Sequence, residues 1–249
     1  MTPIYLPLNQ LPLAGIVYSF EQSNWAGRII VVVLLVGSVF AWSLMLTKAK
    51  SLRLAAFNSR LFLSAYRQEA NATAVFLKRR KYEPSPLFSI YEKACRSLGA
   101  EIEARGADPD DLFMGGVGAN VRGLGQRSVG AVRNVAERSM ADHVLLFEDR
   151  MGLVATAAST APFLGLLGTV WGVMESFGGM AMGGAAMLSA VAPGISGALL
   201  TTVVGLLVAL PSAVGYNLLS DSIRRTSVEM DNFVDELMAD VERQYQDPE

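Results

Sequence analysis

Residues 151–177 read MGLVATAASTAPFLGLLGTVWGVMESF, and the only charge among them is Glu175, near the end. An α-helix rises about 1.5 Å per residue, so about 20 apolar residues cross a hydrocarbon core of about 30 Å. The stretch therefore predicts a membrane-spanning helix, with Pro162 as a kink or wide turn inside it. Two more runs share this character. Ile29 to Leu46, IIVVVLLVGSVFAWSLML, is uncharged and has Trp25 and Trp42 near its ends, where amphipathic rings favour the membrane interface. Residues 195–216, ISGALLTTVVGLLVALPSAVGY, are also uncharged. Pro193 just before them suits a helix start, and Pro211 marks a bend.

Outward from these runs the chain changes character. Residues 178–194, GGMAMGGAAMLSAVAPG, carry no charge and predict a short flexible reversal close to the bilayer surface. Residues 48–150 hold seventeen Lys or Arg and twelve Asp or Glu, so this insertion is read as wet. Apolar residues recur there at helical spacing: Leu52, Ala55, Ala56, Phe62 and Leu63, then Val129, Val132, Ala136, Met140, His143, Val144 and Phe147. KRRKYEPSP (78–86) and GADPDD (106–111) are turn signals, the second placing a helix start near Asp110. GGVGANVRGLG (115–125) lacks the Gly-Lys-Ser/Thr of a phosphate loop and any strand pattern before it. It is read as a loop or weak helix start. The tail from Asp221 has nine acidic and three basic residues. Its apolar Ile223, Val228, Met230, Phe233, Val234, Leu237, Met238 and Val241 predict a wet helix continuing the third span.

Charge sets the orientation. All Lys and Arg except Arg28 fall in the insertion and the tail, and Lys48, Lys50, Arg53, Arg150, Arg224 and Arg225 lie close to span ends. The positive-inside rule puts that side in the cytoplasm. The expectation is an all-α integral membrane protein: a periplasmic segment 1–24, a first span 25–47, a cytoplasmic helical insertion 48–150, a second span 151–177, a short periplasmic loop 178–194, a third span 195–216 and a cytoplasmic helix 217–249.

Composition narrows the chemistry. Net charge is −2, giving no sign of nucleic-acid binding. A lone cysteine, Cys95, excludes an internal disulfide, and one histidine, His143, excludes a clustered His/Cys metal site. No Lys or Arg precedes Arg28, so the positive region of a cleavable signal is missing. No enzyme motif or cofactor site is found, and His143 reads as a helix-surface or packing residue.

The second and third runs each carry a stripe of small residues. Gly165, Gly168, Thr169, Gly172 and Ser176 recur at steps of three and four, as do Gly194, Ala198, Thr201, Thr202, Gly205, Ala209 and Ser212. In lipid such stripes let backbones approach, so the two should pack on each other or line a shared space. Threonine hydroxyls there either bond back to the i−4 carbonyl or order water and protons along a path. Glu175 is the one ionisable residue well inside a run, placed either for function or at the outer interface.

The segments APFLGLLGTVWGVMESF (161–177) and VAPGISGALLTTVVGLLVALPSAVGYNLL (191–219) resemble the MotA/TolQ/ExbB proton-channel family, in its TolQ/ExbB branch. The resemblance implies a homo-pentamer around two copies of a single-span TolR/ExbD-like partner bearing a membrane aspartate. It further implies a proton path past that aspartate, and envelope work through a TonB- or TolA-like protein. It assigns the family's pore threonines to Thr169, in GTVWG, and Thr202, in ALLTTVVG. Where the family pattern reads APGIAEAL this chain reads APGISGAL, with Gly197 in place of glutamate. Glu175, near the same end, is expected to approach Gly197 and compensate. A non-conducting membrane scaffold of the same fold is the alternative.

Overall fold

A computed structural model describes residues 12–106, 124–183 and 188–245. Among them the chain forms seven helices and no strand: α1 Pro12–Gln22, α2 Trp25–Tyr66, α3 Ala74–Leu77, α4 Pro86–Glu103, α5 Gln126–Glu148, α6 Met151–Gly183 and α7 Leu188–Tyr245. Three of these, α2, α6 and α7, are long and apolar enough to cross a membrane. The chain divides into two compact units. One comprises Met1–Leu46 and Arg150–Leu218, the other Thr47–Asp149 and Leu219–Glu249.

In the first unit large apolar side chains face outward. Val39 is 72% exposed, Phe163 71% and Leu210 64%, while Gly165, Gly168, Gly172, Gly205 and Ala198 are buried. That is the arrangement expected of helices surrounded by lipid. The helices exceed the predicted spans. The 178–194 stretch is no simple reversal, because α6 runs on to Gly183 and α7 begins at Leu188. In apolar surroundings a released backbone group has no water to bond, so helix persists through Gly178 and Gly179. Pro193 accordingly lies inside α7 and does not start it, and Pro162 and Pro211 also lie within unbroken helix. The N-terminal part of the chain contains α1, which the sequence pattern did not reveal. The helix start expected near Asp110 and most of the 115–125 glycine stretch lie outside the described residues.

The second unit is organised as in water. Its core is aromatic and centred on Phe62, fully buried, whose ring lies 5.3–6.1 Å from those of Tyr66, Tyr82, Phe88, Tyr91 and Phe233. The periodic Val129, Val132 and Ala136 from α5 and Met230, Val234, Leu237, Met238 and Val241 from the acidic end of α7 meet there, joined by Leu98 and Ile102 from α4. Val228 is the exception in the tail pattern and points out. The turn signal at 78–86 ends where Ser85 caps α4, accepting from Phe88 N at 3.1 Å, with Pro86 at the first helical position. Tyr66 donates to Asp240 Oδ2 at 2.7 Å, and the Tyr91 hydroxyl accepts from Phe76 N at 3.0 Å. Burial pushes the Cys95 thiol up to about 12, with the Glu92 charge adding and a Tyr91 hydrogen bond opposing. His143 sits half-buried on α5 beside Phe147. Burial holds its pKa below the ordinary value, and the Lys93 charge lowers it further.

Candidate functional site

The two small-residue stripes pack on each other. A Cβ added to Gly165 would lie 2.8 Å from Thr201 O and 2.9 Å from Thr202 Cα. One on Gly205 would lie 2.6 Å from Ala161 O, and one on Gly172 2.7 Å from the Ala198 Cβ. At these positions glycine is required because the neighbouring backbone, or at Gly172 the Ala198 methyl, occupies the space of a side chain. Gly168 plays the same part against the side chain of Thr201. Gly165, Gly168, Gly172, Ala198 and Gly205 all lie at this contact between α6 and α7.

This close approach brings three hydroxyls to two carbonyls. Thr201 is 0% exposed, with its hydroxyl placed to donate to Ala198 O at 2.7 Å or Gly165 O at 2.9 Å. Sealed between the helices, it packs and has no face on an open path within this chain. Thr169 and Thr202 are only partly buried, and their hydroxyl oxygens lie 2.5 Å apart. Thr169 can donate instead to Ala198 O at 3.1 Å or Gly165 O at 3.2 Å, and Thr202 to Gly165 O at 3.1 Å. Each hydroxyl has one proton, so the pair has two arrangements. Either Thr202 donates to Thr169, which donates to a carbonyl, or the direction is reversed. No charged group takes part.

Glu175 stands apart from this cluster. It is exposed, and its Oε2 accepts from Asn24 Nδ2 at 2.5 Å. Glu175 and Gly197 both border the Ser23–Asn24 pair, Glu175 through Asn24 and Gly197 through Ser23. The space in front of Gly197 is taken by Ser23, and a Cβ there would lie 2.7 Å from Ser23 Cα. Ser23 and Asn24 form the elbow between α1 and α2, and Asn24 Oδ1 also accepts from Gly27 N at 2.7 Å. Sequence reading missed these residues. The available signal was Asn24 three residues before Gly27 at the head of an apolar run, the pattern of a helix cap. Trp25 packs edge-on against Trp171, with ring centroids 6.3 Å apart.

Three helices of spanning length, two of them joined through a glycine-lined contact with hydroxyls inside it, define a polytopic membrane protein built on a polar helix–helix junction. The model of the MotA/TolQ/ExbB proton channel family matches residues 110–232, which include α5, α6 and most of α7. A Tol-Pal system protein TolQ of Haemophilus influenzae is 44% identical over 99 residues, 39% of this chain and 42% of that protein. A biopolymer transport protein ExbB of Pseudomonas putida is 54% identical over 72 residues, 29% of this chain and 22% of that protein. Similarity thus spans less than half the length of these two relatives. A TolQ of Pseudomonas aeruginosa is 26% identical over 219 residues, 87% of both chains. Over residues 110–232 the chain is thus similar to the MotA/TolQ/ExbB family.

Proposed function

We propose that this chain is the channel-lining subunit of a proton-driven machine in a bacterial inner membrane, serving energy transduction of the Tol-Pal or TonB type. Its relatives are named as a Tol-Pal system protein and a biopolymer transport protein, which supports that class of work. In this reading the N-terminus is periplasmic and the C-terminus cytoplasmic. Five copies surround two copies of a single-span partner whose helix carries an aspartate. Thr169 and Thr202 face that carboxyl group, and Glu175 lies at the outer end of the path.

The observation that carries the reading is the reversible hydroxyl pair. A proton arriving at one threonine can leave from the other while the hydrogen bonds invert, without a buried charge in this chain. A carboxyl group supplied by a partner would exchange protons with such a pair at hydrogen-bond range. Thr201, in contrast, holds the carbonyl that the other two share.

The test is proton entry into vesicles containing this chain and a single-span TolR/ExbD-like protein, driven by a potassium diffusion potential. Thr169→Val and Thr202→Val keep the shape but remove the hydroxyl. Each is expected to cut flux about tenfold or more, since a lost hydrogen bond on the path costs about 1–3 kcal/mol. Thr202→Ser should retain most of it. Full flux in the double valine variant would sink the reading and favour the non-conducting scaffold.

A further inference from the structure

The elbow between α1 and α2 is tied to both other spanning helices. The Ser19 and Ser196 hydroxyl oxygens lie 2.8 Å apart, linking α1 to α7. Ser23 Oγ is placed to donate to Gly197 O at 3.0 Å or to Ser19 O at 2.9 Å. Asn24 uses both ends of its amide, accepting from Gly27 N within α2 and donating to Glu175 on α6. Gly27 in turn faces Thr201, since a Cβ there would lie 3.5 Å from its Cγ2. The first turn of α2, tied to the elbow through Asn24, therefore faces the same threonine that holds the Gly165 carbonyl.

The polarity of α1 fits this placement. Ile16, Val17 and Tyr18 are exposed, whereas Ser19 is half-buried and Ser23 buried. The serine hydroxyls of α1 and the elbow thus face α7. Gly197 makes the contact possible. A Cβ at that position would fall 2.7 Å from Ser23 Cα, 2.7 Å from Ser23 Oγ and 2.8 Å from Ser23 N. Two of these are backbone atoms, so a rotamer change cannot relieve them. Any side chain at 197 must displace the elbow.

We propose that Ser23, Asn24 and Gly197 form a fixed clasp in which the α1–α2 elbow fills the position given to a glutamate side chain in the family pattern, making Ser23 and Asn24 positioning residues for the Glu175 carboxylate and the Thr169–Thr201–Thr202 cluster. The clasp stays closed throughout the working cycle. Gly197 is matched to Ser23, and a glutamate at 197 in this chain disables the junction. The functional half of this inference rests on the channel reading above; the structural half does not.

Cross-linking tests the two halves separately, using the full chain in membranes with its single-span partner. Cys95 is buried, so it contributes little background. The pair Ser19→Cys and Ser196→Cys should form an intramolecular disulfide on mild oxidation, identified by mass spectrometry of the linked peptides. Adding Gly197→Glu should lower the yield about tenfold or more, because displacing packed backbone shifts such an equilibrium at least that far. Undiminished yield with Gly197→Glu, or wild-type proton flux in the single Gly197→Glu variant, would overturn the clasp. The oxidised cysteine pair should conduct as well as its reduced form. Flux restored only by dithiothreitol would show that the elbow must open, and would overturn the fixed clasp. Asn24→Asp keeps the acceptor for Gly27 N but faces Glu175 with a like charge. It should reduce flux severalfold while the Ser19–Ser196 cross-link still forms, and Asn24→Gln should restore part of that flux. If no variant and no wild-type sample conducts, the channel reading fails while the cross-linking yields still decide whether the clasp exists.

Discussion

The two units of this chain use opposite packing rules, although α2 and α7 each supply residues to both. In the unit of Met1–Leu46 and Arg150–Leu218 contact is made by what is missing. Glycines at 165, 172 and 205 bring backbone against backbone or a small side chain, and large side chains point away. In the unit of Thr47–Asp149 and Leu219–Glu249 contact is made by bulk, with Phe62 ringed by five aromatic neighbours and charges kept outside. The contrast teaches that the surrounding solvent, not helix propensity, decides which residues go inward. Water rewards burial of apolar area, whereas lipid removes that incentive and leaves close fit and hydrogen bonds.

Substitutions of opposite sense should therefore be the damaging ones in the two units. The largest expected effect is Phe62→Ala, which opens a cavity at the centre of the aromatic core and should cost about 3–5 kcal/mol. Urea unfolding followed by near-ultraviolet circular dichroism would measure it, and a loss below 1 kcal/mol would contradict the core described. Next comes Gly165→Val, where adding atoms is harmful. Its Cβ would press on Thr201 O and Thr202 Cα, for about 1–3 kcal/mol or more. Thermal unfolding in detergent should show the drop, while the outward Leu207→Ala should leave the midpoint nearly unchanged.

A smaller and pH-dependent effect is expected from Cys95. Its folded pKa lies near 12 against an ordinary 9.0, so the folded state retains a proton that the unfolded state loses. Stability is then intact below about pH 9 and declines as pH rises toward about 12. Comparing unfolding midpoints at several pH values for wild type and Cys95→Ala isolates this contribution, because the alanine variant lacks it. An identical slope for both would refute it. The smallest effect is expected at the surface. Arg67 makes two bonds to Glu236, at 2.8 and 2.9 Å, but its side chain is 59% exposed. Arg67→Ala should cost less than about 1 kcal/mol and lose even that in high salt.

Much of this arrangement was legible in residue order. The three spans, the stripes on 165–176 and 194–212, and the apolar periodicity around Phe62, Val132 and Leu237 follow from rules local to one helix. What escaped reading depends on neighbours far along the chain. Thr201 and Thr202 are adjacent and chemically identical, and only the approach of Gly165 and Gly168 decides that one is sealed and the other half-open. Ser23 and Gly197 are 174 positions apart, and neither is unusual until their backbones meet. The helical 178–183 and 188–194 segments were misread because glycine and proline lower helix propensity in water, a penalty that weighs less where no water competes for the backbone.

The short joint between α5 and α6 differs from the other passages between units. There Asp149 leaves helical geometry with ψ at 130°, and Arg150 takes a left-handed φ of 64°. In α2 and α7 the chain passes from one unit to the other without interruption of the helix. These passages therefore have different tolerance to a change in length. One residue inserted into α7 between Met230 and Leu237 would turn every later side chain by about 100° about the axis, swinging Leu237, Met238 and Val241 out of phase with Met230 and the aromatic cluster. An irregular joint sets no such phase. Insertions and deletions in this chain should accordingly be absorbed at Asp149–Arg150 and excluded from Met230–Leu237.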